Sequence, residues 1–270
     1  MMNLSKHVVG ALMGLMVFPA CGQLATLEGK SMIGKFVSYQ RRDFDFSVKV
    51  DGKMVLWPNE SRSKGVSFYK TINIAAEVTQ MAQGKVQTRQ IIPMTLTSSD
   101  APTQEPTKTK FTGKVTGDAE FEVVVEYEGD QLAIGGRLLD KGKLADPTFQ
   151  IRVKFGDLYR FKSEKELKSE AKRDRLELVR WDDKKHKVGV LENIDLSSDA
   201  VTGKGLKRVD VDLPPYEGRA FLFATKGEGK LLLENPRRMA SAAKDGFSVI
   251  WQGDVAKDPN GEGRMVITVK

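Results

Sequence analysis

Residues able to do chemistry are scarce in this sequence, and their placing narrows the options. Of its two histidines, His7 precedes an apolar run at the start of the chain, and His186 sits inside Lys184-Lys185-His186-Lys187. Positive neighbours oppose protonation of His186, and no acid or nucleophile stands beside it to complete a triad. The single cysteine, Cys21, excludes a disulfide within the chain. A zinc site needs three or four Cys, His or carboxylate ligands, and no such set is spaced for one. The sequence thus assigns no catalytic residue, no metal site and no cofactor.

Carboxylates and aromatic rings leave three further options. Glycoside hydrolysis needs two carboxyl groups and no histidine. Glu120, Glu122 and Glu126 would project from one face of a strand, where they equally make the polar side of an amphipathic strand. Asp258, Asn260 and Glu262, followed by Gly263, resemble the start of a calcium loop. The closing glutamate is missing, because Val269 stands at its place, and Asp258-Pro259-Asn260-Gly261 reads better as a tight turn. Glycan binding uses exposed aromatic faces. Trp57 and Trp251 border apolar stretches and belong in a core, whereas Trp181 is followed by Asp182 and Asp183 and is expected at the surface. Trp181 with Lys184, Lys185 and Lys187 is the candidate ligand-binding set. The basic stretches 162–175 and 184–187 would suit acidic polymers or lipid head groups, with a solvated face as the plain alternative. Gly135-Gly136 and Gly203-Lys204-Gly205 lack the strand–loop–helix setting of a phosphate loop and suit turns or bulges.

The start of the chain has the layout of a secretory signal: Lys6, then Val8 to Phe18 without a charge, then small residues. The run is shorter than the roughly 20 apolar residues that a membrane-spanning helix needs. Pro19-Ala20-Cys21-Gly22 resembles a bacterial lipoprotein processing site, although Phe18 stands where Leu is usual. The resemblance implies lipid attachment at Cys21; ordinary cleavage after Gly22 is the alternative. A net charge of +7, from 43 basic and 36 acidic residues, is mixed along the chain. In an envelope such a protein would meet envelope polysaccharide, an anionic lipid surface or another envelope protein. No nucleic-acid-binding motif is present.

The elements that must position these residues are strands. Phe44, Phe46, Val48 and Val50 alternate with polar residues up to the turn signal Asp51-Gly52. Ile72-Ile74-Ala76-Val78, Phe121-Val123-Val125-Tyr127 and Phe149-Ile151-Val153-Phe155 alternate in the same way, and Met265 to Val269 reads as the last strand. Segment 98–109 reads as a loop. Segment 163–175 reads as a charged helix, with Ser163 and Glu166 as a capping box. Phe44 to Leu56 is echoed by Phe221 to Leu233, and 111–115 by 251–255; duplication or shared turn chemistry would each explain this.

The pattern predicts an all-β fold, an antiparallel β-sandwich that is one elongated body or two tandem smaller domains, with one short charged helix near 163–175. The expected organisation is a signal peptide at 1–22, β-domains at 23–161 and 177–270, and a helical connector at 162–176. The expected role is an exported, non-catalytic binding or structural component of the cell envelope, in the periplasm, at the outer membrane or secreted. A carboxylate-dependent glycan hydrolase and an accessory subunit of an envelope assembly, such as a pilus or secretion complex, are the alternatives.

Overall fold

The alternating runs do form strands, and the regular structure among the described residues is almost wholly antiparallel β-sheet. The structure, a computed structural model, describes residues 34–59, 71–99, 106–156, 175–188, 205–213, 219–234, 246–254 and 256–270, with 163, 165, 166, 169, 172 and 216 besides. The signal segment with Cys21 and half of the predicted loop at 98–109 lie outside these residues. So does most of the predicted helix, but its capping box is made. The Glu166 amide donates to Ser163 Oγ at 3.3 Å, and the Ser163 amide donates back to Glu166 Oε2 at 3.0 Å. No helix among the described residues is long and apolar enough to cross a membrane.

The strands are β1 (Lys35–Gln40), β2 (Phe44–Lys49), β3 (Met54–Pro58), β4 (Ile72–Ala82), β5 (Lys85–Arg89), β6 (Ile91–Ser98), β7 (Lys108–Val115), β8 (Glu120–Glu128) and β9 (Gln131–Asp140). They continue as β10 (Thr148–Phe155), β11 (Arg175–Arg180), β12 (Lys185–Val188), β13 (Leu206–Asp212), β14 (Ala220–Lys226), β15 (Lys230–Glu234), β16 (Phe247–Gln252) and β17 (Arg264–Val269). All belong to one barrel-like sheet that folds over on itself. One layer runs β1-β2-β3-β4-β10-β16-β15. The other runs β6-β7-β8-β9-β17-β14-β13-β11-β12. They meet where Leu206 of β13 pairs with Leu231 of β15.

Alternation explains which side chains fill the space between the layers. Phe121, Val123, Val125 and Tyr127 of β8 are buried, as are Ile72, Ile74, Ala76 and Val78 of β4 and Phe149, Ile151, Val153 and Phe155 of β10. Tyr39 of β1 reaches across to Tyr127 with ring centroids 4.9 Å apart. Val50 departs from expectation. It follows the last residue of β2 and is exposed, because the chain is already turning there: the Gly52 amide donates to the Lys49 carbonyl at 2.9 Å, with Gly52 at φ +80°.

The boundary at 162–176 does not separate two cores. β10, from the N-terminal stretch, lies between β4 and β16, with Ile151 opposite both Ala76 and Trp251. β17, from the C-terminal stretch, lies between β14 and β9. A single hydrophobic cluster runs from Val37 to Val269. The sequence echo likewise has no structural counterpart. Phe44 to Leu56 is a paired hairpin, β2 to β3. After Phe221-Leu222-Phe223 the chain instead crosses layers, with β14 pairing to β13 and β17, and β15 to β16. Glycine and charged residues serve a hairpin and an interlayer corner equally well, so the likeness is one of turn chemistry.

Candidate functional site

Three connections cross between the layers at the same end of the molecule: β9 to β10, β14 to β15, and β16 to β17. Where they converge with the β11–β12 turn lies a groove of about 700 Å³, lined among others by Thr148, Trp181, Glu228, Lys230, Gln252, Asp254 and Lys257. Its floor has a structural cause. Trp251 of β16 is fully buried below it, and a Cβ on Gly229 or Gly253 would strike the Trp251 ring. Glycine at both positions lets the backbone lie directly on the indole and leaves the space above it open.

Trp181 is the one member of the predicted set that reaches this groove. It sits in the β11–β12 turn, where Arg180 N donates to the Lys184 carbonyl and Asp183 N to the Arg180 carbonyl, both at 3.0 Å. Asp183 takes φ +59°, a left-handed conformation that a short polar side chain tolerates. The indole is 48% exposed and makes no ring contact among the described residues. The predicted surface placing of Trp181 and core placing of Trp251 thus agree with the structure, and Trp57 is half-buried.

The lysines are placed elsewhere, each beside a carboxylate that it shares with another cation. Lys184 approaches Asp182 at 3.5 Å, and Lys185 and Lys187 approach Glu177 at 3.3 and 4.0 Å. Lys185 lines a separate hollow of about 250 Å³ with Asp183, Lys207 and Arg208, where Lys207 pairs with Asp183 at 3.0 Å. The sequence could not show this, because Glu177, Lys207 and Arg208 come from neighbouring strands. His186 lies in β12 opposite Leu178.

The carboxylates weighed for hydrolysis prove to be a cross-strand ion ladder. Glu120 pairs with Lys114 at 2.6 Å, Glu126 lies 3.6 Å from Lys108, and the mostly buried Glu122 is held by Lys110 and, at 3.6 Å, by Arg137. These face out from β8, away from the groove. In the groove itself Asp254 accepts the Ala256 amide at 3.2 Å and pairs with Lys257 at 3.3 Å. The Lys257 hydrogen bond, with the backbone amides, holds its pKa below the usual aspartate value against the opposing effect of burial. A general acid for glycoside cleavage needs the reverse shift. Glu228 and Lys230 are exposed and form no ion pair among the described residues. Outside the groove, a second polar set lies on the outer face of β10: Gln150 donates to Glu77 at 2.7 Å, and Arg152 pairs with Glu77 at 2.9 Å and with Glu234.

The segment weighed as a calcium loop is a backbone clamp. Asp258 accepts the Glu262 amide at 2.9 Å through Oδ1 and the Gly263 amide at 2.6 Å through Oδ2. Among the described residues no three His, Cys, Asp or Glu side chains gather as metal ligands. Partial burial works to raise the Asp258 pKa, but the amides of Glu262, Gly263 and Gly261 outweigh it and hold the pKa low. A depressed folded pKa means that the clamp stabilises the fold above the unfolded aspartate value, about 3.9, and is lost as pH falls through the folded value. Asp258→Ala is expected to cost about 1–2 kcal/mol at neutral pH. In urea unfolding, the gap between wild type and variant should shrink below about pH 4; a gap that stays constant would show that the charge plays no part.

No protein family and no curated protein matches this sequence. Nine solved chains align with this one, among them the two that follow. The alpha-N-acetylgalactosaminidase NagBb from Bifidobacterium bifidum, as a quadruple mutant, superposes with a TM-score of 0.52 at 9% identity over 86% of this chain and 35% of its own. The chain thus spans about a third of that enzyme's length, and the likeness is one of fold alone. The Slr1438 protein from Synechocystis sp. PCC 6803 aligns with a TM-score of 0.40 at 11% identity, over 84% of this chain and 92% of its own.

Proposed function

We propose that this chain is an exported, non-catalytic binding component of a cell envelope, and that it takes its ligand in the groove beside Trp181. The observation that carries the reading is an exposed indole on an open groove whose partly buried carboxylate, Asp254, is already engaged by Lys257 and backbone amides. Such a lining offers contact surface and hydrogen-bonding groups, and its Asp254 carboxylate is held as an acceptor rather than as a proton donor. Support for export comes from the sequence: a lone positive charge, an apolar run too short to span a bilayer, and small residues around Cys21. The likeness to part of NagBb brings no substrate with it.

Two measurements test this reading. Mass spectrometry of the protein recovered from an envelope fraction should find a mature chain that begins at a lipid-bearing Cys21 or at Gln23. Recovery of the chain with Met1 intact would end the export half of the proposal. The purified mature chain should bind an envelope extract without releasing reducing sugar from it, and Trp181→Ala should weaken that binding. Time-dependent release of reducing ends would make the protein a hydrolase instead.

A further inference from the structure

The groove's lining points to a ligand class. Resting on the reading of this groove as a binding site, we infer that it holds a neutral saccharide, with one sugar ring stacked on the Trp181 indole and its hydroxyls met by Gln252, Glu228 and Lys230.

Three features of the groove support this. The first is the indole. It stands 48% exposed at the tip of a turn whose neighbours are Asp182 and Asp183, and no other ring among the described residues packs on it. A flat aromatic face held out at the rim of a groove suits a ligand with an apolar face of similar size. A pyranose ring is such a ligand: its axial C–H bonds form an apolar face, and its edge is all hydroxyl.

The second is the supply of hydrogen-bonding groups elsewhere along the lining. Gln252 donates through Nε2 to Gln150 Oε1 at 3.2 Å, which fixes the amide and leaves its own Oε1 available. The carboxylate of Glu228 accepts, the ammonium of Lys230 donates, and neither is spent on an ion pair among the described residues. Paired acceptor and donor groups are what vicinal hydroxyls require. Gly229 and Gly253, kept small by Trp251 beneath them, leave room for a ring to approach the backbone.

The third is charge. Glu228 and Asp254 face Lys230 and Lys257 across the same lining, so the groove has no net excess of either sign. An acidic polymer would be drawn to an excess of cations, and the lysines of β12 and its turn, which share Asp182 and Glu177 with Arg180 and Arg208, lie outside this lining. A neutral ligand held by stacking and hydrogen bonds should bind with little dependence on salt, unlike a polyanion.

The test uses the mature chain, chitohexaose, maltohexaose and cellohexaose as neutral probes, and heparin as the acidic one. Binding is followed by titration calorimetry and by tryptophan fluorescence. At least one neutral hexasaccharide should bind with a Kd between about 10 µM and 1 mM. That Kd should change less than about twofold between roughly 0.05 and 0.5 M NaCl. Trp181→Ala should weaken binding by about tenfold or more, and Trp181→Phe by less. The double substitution Lys185→Ala with Lys187→Ala, away from the groove, should leave it unchanged. The saccharide inference is overturned if none of the neutral probes binds at millimolar concentration, if Trp181→Ala leaves the Kd intact, or if only heparin binds. Should an envelope extract still bind in a Trp181-dependent way while no hexasaccharide does, the groove remains a binding site and the saccharide assignment alone falls. Should binding of the extract be indifferent to Trp181, both fall.

Discussion

Replacing Phe155 by alanine should lower the stability of this protein by about 3–5 kcal/mol, the range found for a buried phenylalanine whose site cannot collapse. Phe155 closes β10, and its ring is the hub of an aromatic cluster at the end of the molecule opposite the groove. It stacks on Phe247 of the adjacent β16, with centroids 4.8 Å apart and planes 10° from parallel. It also meets Phe221 and Phe223 of the opposite layer edge-on, each at 5.8 Å, and Tyr216 at 6.0 Å. Both layers therefore contribute to its surroundings, and the alanine cavity would be walled by rings that have no room to slide. Urea unfolding should show a lower midpoint with an unchanged slope. The melting temperature should fall by roughly 10 °C for a chain of this size. Phe155→Leu, which keeps most of the volume, should cost about 1–1.5 kcal/mol. A loss below about 1 kcal/mol for the alanine variant would show that the layers are joined elsewhere.

The second large effect is expected at a residue with no side chain. Gly136 of β9 stands opposite Val123 of β8, and a Cβ added there would overlap the Glu122 carbonyl oxygen and lie 2.8 Å from Phe149 Cζ. A backbone oxygen cannot rotate away as a side chain does, so β8 and β9 would have to part locally. Gly136→Ala should therefore cost about 2–3 kcal/mol. Gly84→Ala, in the β4–β5 turn, makes a useful comparison. Nothing lies within 4 Å of its added Cβ, and only its φ of +72° opposes the change. That substitution should cost about 1 kcal/mol, the penalty of a left-handed residue. Chemical denaturation of both variants separates crowding from backbone strain. Equal losses would contradict the close approach at Gly136.

Gly135-Gly136 also shows where a sequence reading reaches its limit. The pair was expected in a turn or bulge, yet both residues lie inside β9. They are small because other chain segments press on them: the Gly263 carbonyl and Arg264 on one, the Glu122 carbonyl on the other. Such a cause lies more than a hundred residues away in the first case and cannot be read locally. The strands themselves were legible, because alternation is a property of neighbours in sequence. Phe121 to Tyr127 and Phe149 to Phe155 carry their own evidence of which face is buried. The corner at Gly227-Glu228-Gly229 was not legible, since the residues that permit a hairpin also permit a step between layers. Of the candidate site, Trp181 was legible from the two aspartates behind it. Glu228, Lys230, Gln252 and Asp254 were not, because two separate connections, β14 to β15 and β16 to β17, bring them to the β11–β12 turn and neither has a motif. Lys185 and Lys187 looked like part of a wholly basic patch only while Glu177 of β11 was not seen across from them.

The placement of β17 also bears on how the molecule comes to be made. β9 pairs on one side with β8, its immediate predecessor, but its other side waits for β17, with Ile134 meeting Met265 across about 130 residues. β10 similarly waits for β16, with Ile151 and Trp251 separated by about 100 residues. A chain emerging from a ribosome or threading through a membrane pore must therefore carry open strand flanks until its final hundred residues arrive. Long waiting of this kind slows folding and invites pairing with the wrong neighbour. For a chain exported as proposed, the same delay would keep the polypeptide in the unfolded state that a translocation channel accepts.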